Sequence, residues 1–432
     1  MALWRGPTAC CVVALSALAV GCGTAAHTTA ANTVPAQAGP HPSRSAVASG
    51  SGVTGSARTG KPLWLQSVQM TSASDGWATS YSGNPDNPSV SPPLLLTRTS
   101  DDGQTWTDIT PAGARPMLAT SNASEVLDAV DGERAYFAVT ASAEEGISAV
   151  NTTVLFATGD GGRTWAESAP LRTASQVGLL SFADARHGWL LLTEGAAMGQ
   201  NPVQVYRTSD GGRHWSLAAS SPPWNSDGGT GIPIACGKTG ITFPTMTVGW
   251  LTSDCTATLP EALLVSRDGG VTWAVQALPV PLGRNGASAE LSGPEFTHGI
   301  GFLTVGQYDS MPTLLVTADL GQTWRPVPLP AGVGPYPQVM FFSPADGVLV
   351  AAGSQGSLGD VFYTTSDGGQ TWTAVRQGAH FTQLGVTIDF VSQRTGFAWI
   401  LGTDTQGPSP PPMYETTNSG RTWTSFTPRL DS

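Results

Sequence analysis

Charged residues are scarce in this 432-residue sequence and make up only 12% of it. Lysine is almost absent, since Lys61 and Lys238 are the only two, and 20 basic residues face 31 acidic ones for a net charge of −11. A surface of that sign repels the phosphates of nucleic acids and anionic lipid headgroups. The composition therefore predicts no nucleic-acid partner and no electrostatic binding to membranes.

Long apolar runs are missing as well. The most apolar segment, residues 9–20, is too short to span the roughly 30 Å of a bilayer's hydrocarbon core. It follows Arg5 and ends in Ala19-Val20-Gly21-Cys22, which is typical of an export signal. This ending resembles the lipobox of bacterial lipoproteins, in which the cysteine is lipid-modified, although Ala19 stands where Leu is more usual. We expect residues 1–22 to be a lipoprotein-type signal with lipidation at Cys22; the alternative is an ordinary cleaved signal peptide.

Residues 23–61 lack any apolar periodicity and are rich in Ala, Gly, Ser, Thr and Pro. Such a segment cannot bury enough surface to fold. We therefore expect a disordered tether between the signal and a folded domain at 62–428, with a short tail at 429–432. The protein is predicted to be extracytoplasmic, either as a cell membrane lipoprotein or in secreted form, and to meet the membrane only through its lipid anchor.

Cysteine is used sparingly, with five residues in the chain. Only Cys22, Cys236 and Cys255 lie beyond the apolar segment of the signal. Cys236 and Cys255 are symmetric about a candidate hairpin turn at 244–247, so they would face each other across paired strands. An oxidising compartment would permit a disulfide there, worth about 3 kcal/mol. A metal pair or a catalytic thiol is the alternative, but no histidines or acids cluster around them.

The most prominent feature that is present is an eight-residue box, T-S-D-G-G-Q-T-W at residues 365–372, which occurs in seven variants. The pattern predicts a tight turn between two strands, in which the Asp carboxylate accepts backbone N–H groups, Gly supplies positive φ and Trp starts the next strand. The Asp or Asn and the Trp of the seven boxes are Asp101 and Trp106, Asp160 and Trp165, Asp210 and Trp215, Asp268 and Trp273, Asp319 and Trp324, Asp367 and Trp372, and Asn418 and Trp423.

A second motif precedes the boxes and completes the repeat unit. Phe182 with Trp189 and Phe243 with Trp250 are examples of two apolar residues seven positions apart, with a Gly just before the second. Each unit then reads as four antiparallel strands, and the boxes recur about every 50 residues, which indicates a β-propeller blade. The sequence predicts an all-β, seven-bladed propeller of four-stranded antiparallel blades, with the box between the third and fourth strands.

The boxes resemble the Asp-box, or BNR, repeat of sialidases, sortilin-type receptors and the photosynthesis system II stability and assembly factor family. Seven units, a compact period and a Gly-Trp strand before each box are most similar to the assembly-factor propellers. That resemblance covers about 367 of the 432 residues and implies a non-enzymatic factor that binds other proteins outside the cytoplasm. We expect a monomeric protein-binding or assembly scaffold with no cofactor.

A glycan-directed protein, either a sialidase-like glycoside hydrolase or a carbohydrate-binding propeller, is the alternative. Sialidases resemble this chain in their boxes, but they also need an Arg triad, a Tyr/Glu pair, an acidic group and an F/Y-R-I-P motif, which does not occur here. Tyr206, Tyr363 and Tyr414 occupy positions held by Phe or Leu in other units, which indicates core roles. No catalytic residue is therefore predicted.

Strand order places the second turns and the connections between blades on the face opposite the boxes. The second turns vary in length, which is typical of recognition loops. The connections carry arginines that could form a rim for an anion or carboxylate, or could be separate solvated residues. The candidate binding residues of this rim are Arg115, Arg172, Arg284, Arg376, Trp224, Tyr336 and His380. No metal site is predicted, because the spacing of Cys and His matches no zinc motif.

Overall fold

The structure is a computed structural model, and it describes most of the chain after residue 59. The described ranges are 60–85, 92–120, 122–142, 150–194, 200–222, 230–254, 263–280, 289–307, 311–334, 337–352, 358–375, 386–400 and 409–431. The predicted signal, Cys22 and nearly all of the predicted tether lie outside these residues.

The first four blades occupy the first half of the folded region, with a short strand ahead of them and one short helix between blades 1 and 2. In chain order the elements are β1 (Lys61–Pro62); for blade 1, β2 (Trp64–Met70), β3 (Gly76–Tyr81), β4 (Leu94–Thr99) and β5 (Thr105–Asp108); α1 (Ala114–Leu118); for blade 2, β6 (Ser124–Ala129), β7 (Ala135–Ser142), β8 (Asn151–Thr158), β9 (Ala166–Glu167) and β10 (Leu171–Thr173); for blade 3, β11 (Gln176–Phe182), β12 (Gly188–Thr193), β13 (Val203–Thr208) and β14 (Ser216–Ser220); and for blade 4, β15 (Gly237–Thr242), β16 (Gly249–Asp254), β17 (Leu263–Ser266) and β18 (Ala274–Val275).

The remaining three blades follow directly, and a last short strand ends the chain. They are, for blade 5, β19 (Ala289–Leu291), β20 (Glu295–Thr297), β21 (Ile300–Gln307), β22 (Thr313–Thr317) and β23 (Arg325–Pro328); for blade 6, β24 (Gln338–Phe341), β25 (Gly347–Ala352), β26 (Leu358–Thr365) and β27 (Thr373–Val375); for blade 7, β28 (Val386–Phe390), β29 (Gly396–Ile400), β30 (Met413–Thr416) and β31 (Thr424–Phe426); and finally β32 (Arg429–Leu430).

Seven sheets form, one for each repeat unit, and the strands of each blade pair antiparallel in chain order. The first strands of neighbouring blades approach one another, as β6 and β11 do, and β2 approaches β28 of the last blade. First strands are therefore innermost and border the central channel. The predicted all-β fold, a seven-bladed propeller of four-stranded antiparallel blades, is confirmed.

Two blades depart from a simple four-strand pattern. In blade 2 the outer strand is interrupted, so that β9 and β10 pair with different parts of β8. In blade 5 the inner strand is interrupted, and β19 and β20 both pair with β21. The sequence units around Val130 and Phe296 have looser spacing than the others, and these are the blades in which a strand is divided.

The ring is closed at its outer edge by the two ends of the folded region. β32 pairs in parallel with β5 of blade 1, and β1 pairs antiparallel with β32. Arg429 N donates to Gln104 O at 3.1 Å and Asp431 N donates to Trp106 O at 2.8 Å. The predicted bounds of the propeller, 62–428, leave out β32 and Lys61 of β1, because two-residue strands have no periodicity to reveal them.

Aromatic side chains connect each blade to the next and explain the second motif. The ring of Tyr136 in blade 2 stacks on Phe182 of blade 3 at 3.4 Å, and Phe182 meets Trp215 of its own blade edge-on at 6.1 Å. Trp189 and Phe243 repeat the stack between blades 3 and 4 at 3.7 Å. In blades 3 to 7 a Gly precedes the second apolar position because a first-strand Phe ring lies against that backbone; a Cβ on Gly188 would lie 2.5 Å from Phe182.

Polar groups also join the inner strands of blades 1 to 4. Gln69 donates to Leu127 O and accepts from Ala129 N, both at 2.9 Å. Asp128 Oδ2 accepts from Phe182 N at 2.9 Å in the next blade. The innermost strands are therefore held by hydrogen bonds as well as by apolar packing.

Candidate functional site

The box turns are hydrogen-bonded almost entirely within themselves. In blade 1, Asp101 accepts from the backbone N and the hydroxyl of Thr105, both at 2.8 Å, and Thr99 Oγ1 donates to Asp101 and accepts from Gly103 N. The same arrangement recurs in the other six boxes. Gly103 has φ of 79°, a left-handed conformation that favours glycine.

These donors make the box carboxylates poor candidates for chemistry. Hydrogen bonds from the side chain and backbone of Thr164 lower the pKa of Asp160 to about 2, and Thr323 lowers that of Asp319 to about 2 in the same way. Such groups stay ionised and their oxygens are already occupied. The boxes therefore stabilise the turns and leave little capacity for a ligand or for proton transfer.

First turns and box turns of the same blade are tied together on one face of the ring. Gly161 N donates to Glu133 O at 2.8 Å, and Gly211 N donates to Arg186 O at 2.9 Å. Equivalent bonds occur in blades 1, 4, 6 and 7, where the donors are Asp102, Gly269, Gly368 and Ser419. This face is uniform from blade to blade and has a hydrogen-bonded backbone.

The opposite face carries the second turns, and their lengths differ widely. β3 ends at Tyr81 and β4 begins at Leu94, whereas β25 ends at Ala352 and β26 already begins at Leu358. The longest connections, at 82–93 and 401–412, belong to blades 1 and 7, which are neighbours in the ring. Parts of all seven second turns lie outside the described residues.

Of the predicted rim, the structure describes Arg115 and Arg172. Arg115 lies in α1 and forms an ion pair with Asp108 at 3.0 Å, so its charge is already compensated. Arg172 lies in β10, where it is exposed and pairs with Thr152 at the outer edge of blade 2. The predicted rim side chains outside the described residues are Arg284, Arg376, Trp224, Tyr336 and His380.

Cys236 precedes the inner strand of blade 4 and is part of a disulfide. All other cysteines of the chain, Cys255 included, lie outside the described residues, so pairing with Cys255 stays a prediction. Gly237 lies opposite Asp254 in the strand pair, which is the register that the sequence symmetry predicts for the neighbours of the two cysteines. Disulfides of this kind are typical of an oxidising compartment.

A second polar region, which sequence analysis missed, lies at the start of the inner strands. Among the described residues, four buried oxygen atoms other than those of backbone groups have no hydrogen-bond partner. They are Gln66 Oε1 of β2, Ser124 Oγ of β6, Ser175 Oγ just before β11, and Gln338 Oε1 of β24. We call this group the channel-mouth oxygens, because inner strands begin on the second-turn face.

Two ionisable residues occupy matching positions on the inner strands of blades 2 and 4. Glu125 pairs with Val139 and Lys238 pairs with Ser253, and each lies three ladder steps before the residue opposite the second-strand aromatic, Tyr136 or Trp250. Desolvation raises the pKa of Glu125 to about 7 and lowers that of Lys238 to about 8. Lys238 Nζ donates to the carbonyls of Ala235 and Cys236 at 3.0 and 2.7 Å.

The described residues include no group of three or more His, Cys, Asp or Glu side chains that could hold a metal ion. In the same part of the chain, no helix has the length and apolar character needed to cross a bilayer. The six box Asp residues are separated from one another, one in each of blades 1 to 6, and blade 7 has Asn418 in their place.

These features define the class of the protein: a seven-bladed β-propeller whose blades share internally bonded box turns. No protein-family model and no curated protein matches the chain.

Several solved structures are similar to it at low identity. A GH74 xyloglucanase from Xanthomonas campestris is 14% identical over 81% of this chain and 62% of its own, with a TM-score of 0.35. YCF48 from Cyanidioschyzon merolae is 15% identical over 78% of this chain and 93% of its own, with a TM-score of 0.45. A PL25 ulvan lyase is 9% identical over 83% of this chain and 95% of its own, also with a TM-score of 0.45. Identities of 9–15% define neither an activity nor a partner for this chain.

Proposed function

We propose that this propeller is an extracytoplasmic, lipid-anchored scaffold that binds a protein partner through its second-turn face and catalyses no reaction. The observation that carries the proposal is the contrast between the two faces. The box-turn face is uniform and its polar groups bond to one another, whereas the second turns on the other face differ in length from blade to blade. Loops that vary on a rigid scaffold are where binding specificity is usually found.

The predicted export signal and the disulfide of Cys236 support a location outside the cytoplasm. Lipidation is tested separately from partner binding, by metabolic labelling of the full chain with an alkyne fatty acid. The wild-type chain is expected to be labelled and to fractionate with membranes, and Cys22→Ser to lose both properties. A labelled Cys22→Ser chain, or an unlabelled wild type, would reject the anchor and leave a secreted protein.

Partner binding is tested by crosslinking the full chain in intact source cells, with two matched variants. The first shortens the 401–412 connection to the length of the 353–357 connection of blade 6. The second, Arg163→Glu with Arg213→Glu, alters two exposed box-turn side chains and serves as the control. We expect the shortened connection to lose the crosslinked partner and the control to keep it.

If the partner is lost only when the two box-turn arginines are replaced, the binding surface lies on the box-turn face instead. Turnover of a panel of sialosides and other glycosides by the same chain would instead support the glycan-directed alternative.

A further inference from the structure

Box turns pack against the third strand of the preceding blade, and the repeat places this contact at the same position in several blades. The fifth box residue, a Gly, lies against the side chain three positions before the preceding box, so that an added Cβ would touch it. The pairs are Gly212 with Leu155, Gly369 with Leu314 and Gly420 with Phe362. Where blade 7 meets blade 1, a Cβ on Gly103 would lie 3.0 Å from Sδ of Met413 in the same way. We call this last contact region the closing junction.

A second contact occurs two residues further along the third strand. Residues i and i+2 of a strand point to the same side, so the residue just before a box also faces the next blade. A Cβ on Gly161, the fourth residue of its box, would lie 3.4 Å from Cζ of Arg98 in blade 1. A Cβ on Gly269, the fourth residue of its box, would lie 3.5 Å from Nη1 of Arg207 in blade 3. The residue before one box therefore lies beside the fourth residue of the next box.

Both of these positions are acidic at the closing junction. Glu415 stands just before the box of blade 7, and Asp102 is the fourth box residue of blade 1, where the other boxes have Gly, Leu or Ser. Burial and the charge of Asp102 raise the pKa of Glu415. In the described part of the chain, neither carboxyl group has a hydrogen-bond or ion-pair partner. Two ionised carboxylates in this arrangement repel each other.

The groups around Glu415 do not compensate for this repulsion. Phe397 on β29 and Thr424 on β31 lie opposite it and carry no charge. The other acid in the blade 1 turn, Asp101, accepts hydrogen bonds within its own turn. Arg429 on β32 donates to a backbone carbonyl near the start of the folded region.

We propose that the closing junction is a pH-sensitive latch, in which repulsion between the carboxylates of Glu415 and Asp102 loosens the ring near neutral pH and protonation of Glu415 tightens it in mild acid. All other neighbouring blades follow one another along the chain, whereas blades 7 and 1 are held by packing and by β1 and β32. The latch does not depend on the proposed scaffold function, although the longest second turns belong to these two blades.

The direction of the pH dependence follows from the raised pKa. Because the pKa of Glu415 in the folded state lies above 4.5, the folded chain holds this proton more tightly than the unfolded chain does. Its contribution to stability is therefore complete below pH 4.5 and is lost as pH rises through the raised value. Other acids titrate in both the wild type and a Glu415 variant, so the two chains are compared at the same pH.

Native-state hydrogen exchange of the full chain, followed by mass spectrometry, tests the latch at the junction itself. At pH 8 we expect Glu415→Gln to slow the exchange of peptides that contain β1, β30 and β32 by about twofold or more, the factor for a like-charge pair at a protein surface. At pH 4.5 the two chains should exchange alike. The melting temperature of Glu415→Gln should likewise exceed that of the wild type at pH 8 and equal it at pH 4.5.

Asp102→Gly tests the other side of the contact, with Ser419→Gly as the matched control. Asp102 and Ser419 are both fourth box residues with φ of 63°, so glycine relieves the same backbone conformation in each. We expect Asp102→Gly to raise the melting temperature more than Ser419→Gly at pH 8, and this excess should disappear at pH 4.5. In the Asp102→Gly chain, a further Glu415→Gln change should lose its stabilising effect at pH 8.

Three results would overturn the latch. A Glu415→Gln chain that melts at or below the wild type at pH 8 would show that the carboxylates do not repel. An effect of equal size at both pH values would show that ionisation is not its cause. Slower exchange spread evenly over all seven blades would show that the effect is not confined to the closing junction. None of these results touches the scaffold proposal, which is tested by the shortened 401–412 connection.

Discussion

At the scale of single residues, the box acids and the inner-strand acids of this protein have opposite environments. The box carboxylates of Asp160, Asp210 and Asp319 lie near the surface and receive several hydrogen bonds, which lower their pKa values to about 2. Asp128 is buried and accepts one backbone bond, from Phe182 N, so desolvation dominates and raises its pKa to about 7. Residues of the same type therefore respond to pH in opposite directions.

The box acids predict a loss of stability in acid. Because the folded pKa of Asp319 is lowered from 3.8 to about 2, its contribution is complete above pH 4 and disappears as pH falls through 2. Asp319→Ala should lower the melting temperature at pH 7, while Asp319→Asn should lower it less. Asn418 already shows that an amide can fill this role, since it bonds to both the backbone and the hydroxyl of Thr422.

Thermal melts of these variants at pH 7 and pH 3 provide the measurement. An asparagine variant as unstable as the alanine variant at pH 7 would show that charge, rather than the hydrogen bonds, is what the turn requires.

Asp128 predicts the reverse dependence on pH. Its folded pKa is raised from 3.8 to about 7, so the folded state binds the proton more tightly, and stability falls as pH rises from about 4 to 7. Asp128→Asn keeps an acceptor for Phe182 N but removes this ionisation. We expect the variant to gain stability relative to the wild type at pH 8, by an amount on the order of 2 kcal/mol.

Urea unfolding at pH 5 and pH 8 checks this expectation. Asp128→Ala is the companion variant, since it removes the acceptor as well and should be destabilised at both values. A constant difference between Asp128→Asn and the wild type would mean that Asp128 does not titrate in this range.

At the scale of the strand elements, the first two strands of blades 3 to 7 pack together through a glycine and a Phe ring. Phe182 at the end of β11 lies over Gly188 at the start of β12 and stacks on Tyr136 of the preceding blade. One ring therefore joins a hairpin to the interface between two blades. The spacing of seven residues between the two apolar positions is set by this geometry.

Gly188→Ala tests that arrangement. The added Cβ would displace the Phe182 ring, and overpacking of this kind costs about 1–3 kcal/mol. Gly159→Ala is the control, because nothing lies within 4 Å of its added Cβ. Chemical denaturation should show a clear loss of stability for the first variant and little change for the second; equal losses would mean that the contact with Phe182 is not the cause.

At the scale of the whole molecule, the strap formed by β1 and β32 joins the last blade to the first. Arg429, Leu430 and Asp431 lie against β5, and Leu63 N donates to Pro428 O at 3.1 Å. Leu65 and Met413 lie in one apolar cluster, so packing between blades 1 and 7 closes the ring on the inside. The strap adds backbone hydrogen bonds at the periphery.

Truncation after residue 428 is expected to destabilise the ring. It removes at least two backbone bonds, each worth about 0.5–1.5 kcal/mol, together with the packing of Leu430. The melting temperature should drop, and Arg429→Ala, which keeps the main-chain bonds and loses only the bond to Gly60 O, should show a smaller effect. An unchanged melting temperature on truncation would assign ring closure to the apolar cluster alone.

The sequence alone was enough to predict the repeat, the number of blades and the position of the box between the third and fourth strands. These features are local: Thr158, Asp160 and Thr164 lie within seven positions and close a turn by themselves, and Gly188 needs only Phe182 six residues earlier. Local interactions leave a pattern in the chain, and seven repetitions make that pattern unmistakable.

Other features emerged only in the tertiary structure. They are the strap, the interrupted strands of blades 2 and 5, the pairing of Arg115 with Asp108 and the channel-mouth oxygens. Gly60 and Arg429 meet across 369 positions, and Gln66, Ser175 and Gln338 belong to different blades. A polar residue at the start of an apolar strand is visible in the sequence, but whether its oxygen has a partner depends on residues far away in the chain. Which residues from distant parts of the chain meet depends on closure of the ring, and no local sequence pattern indicates those contacts.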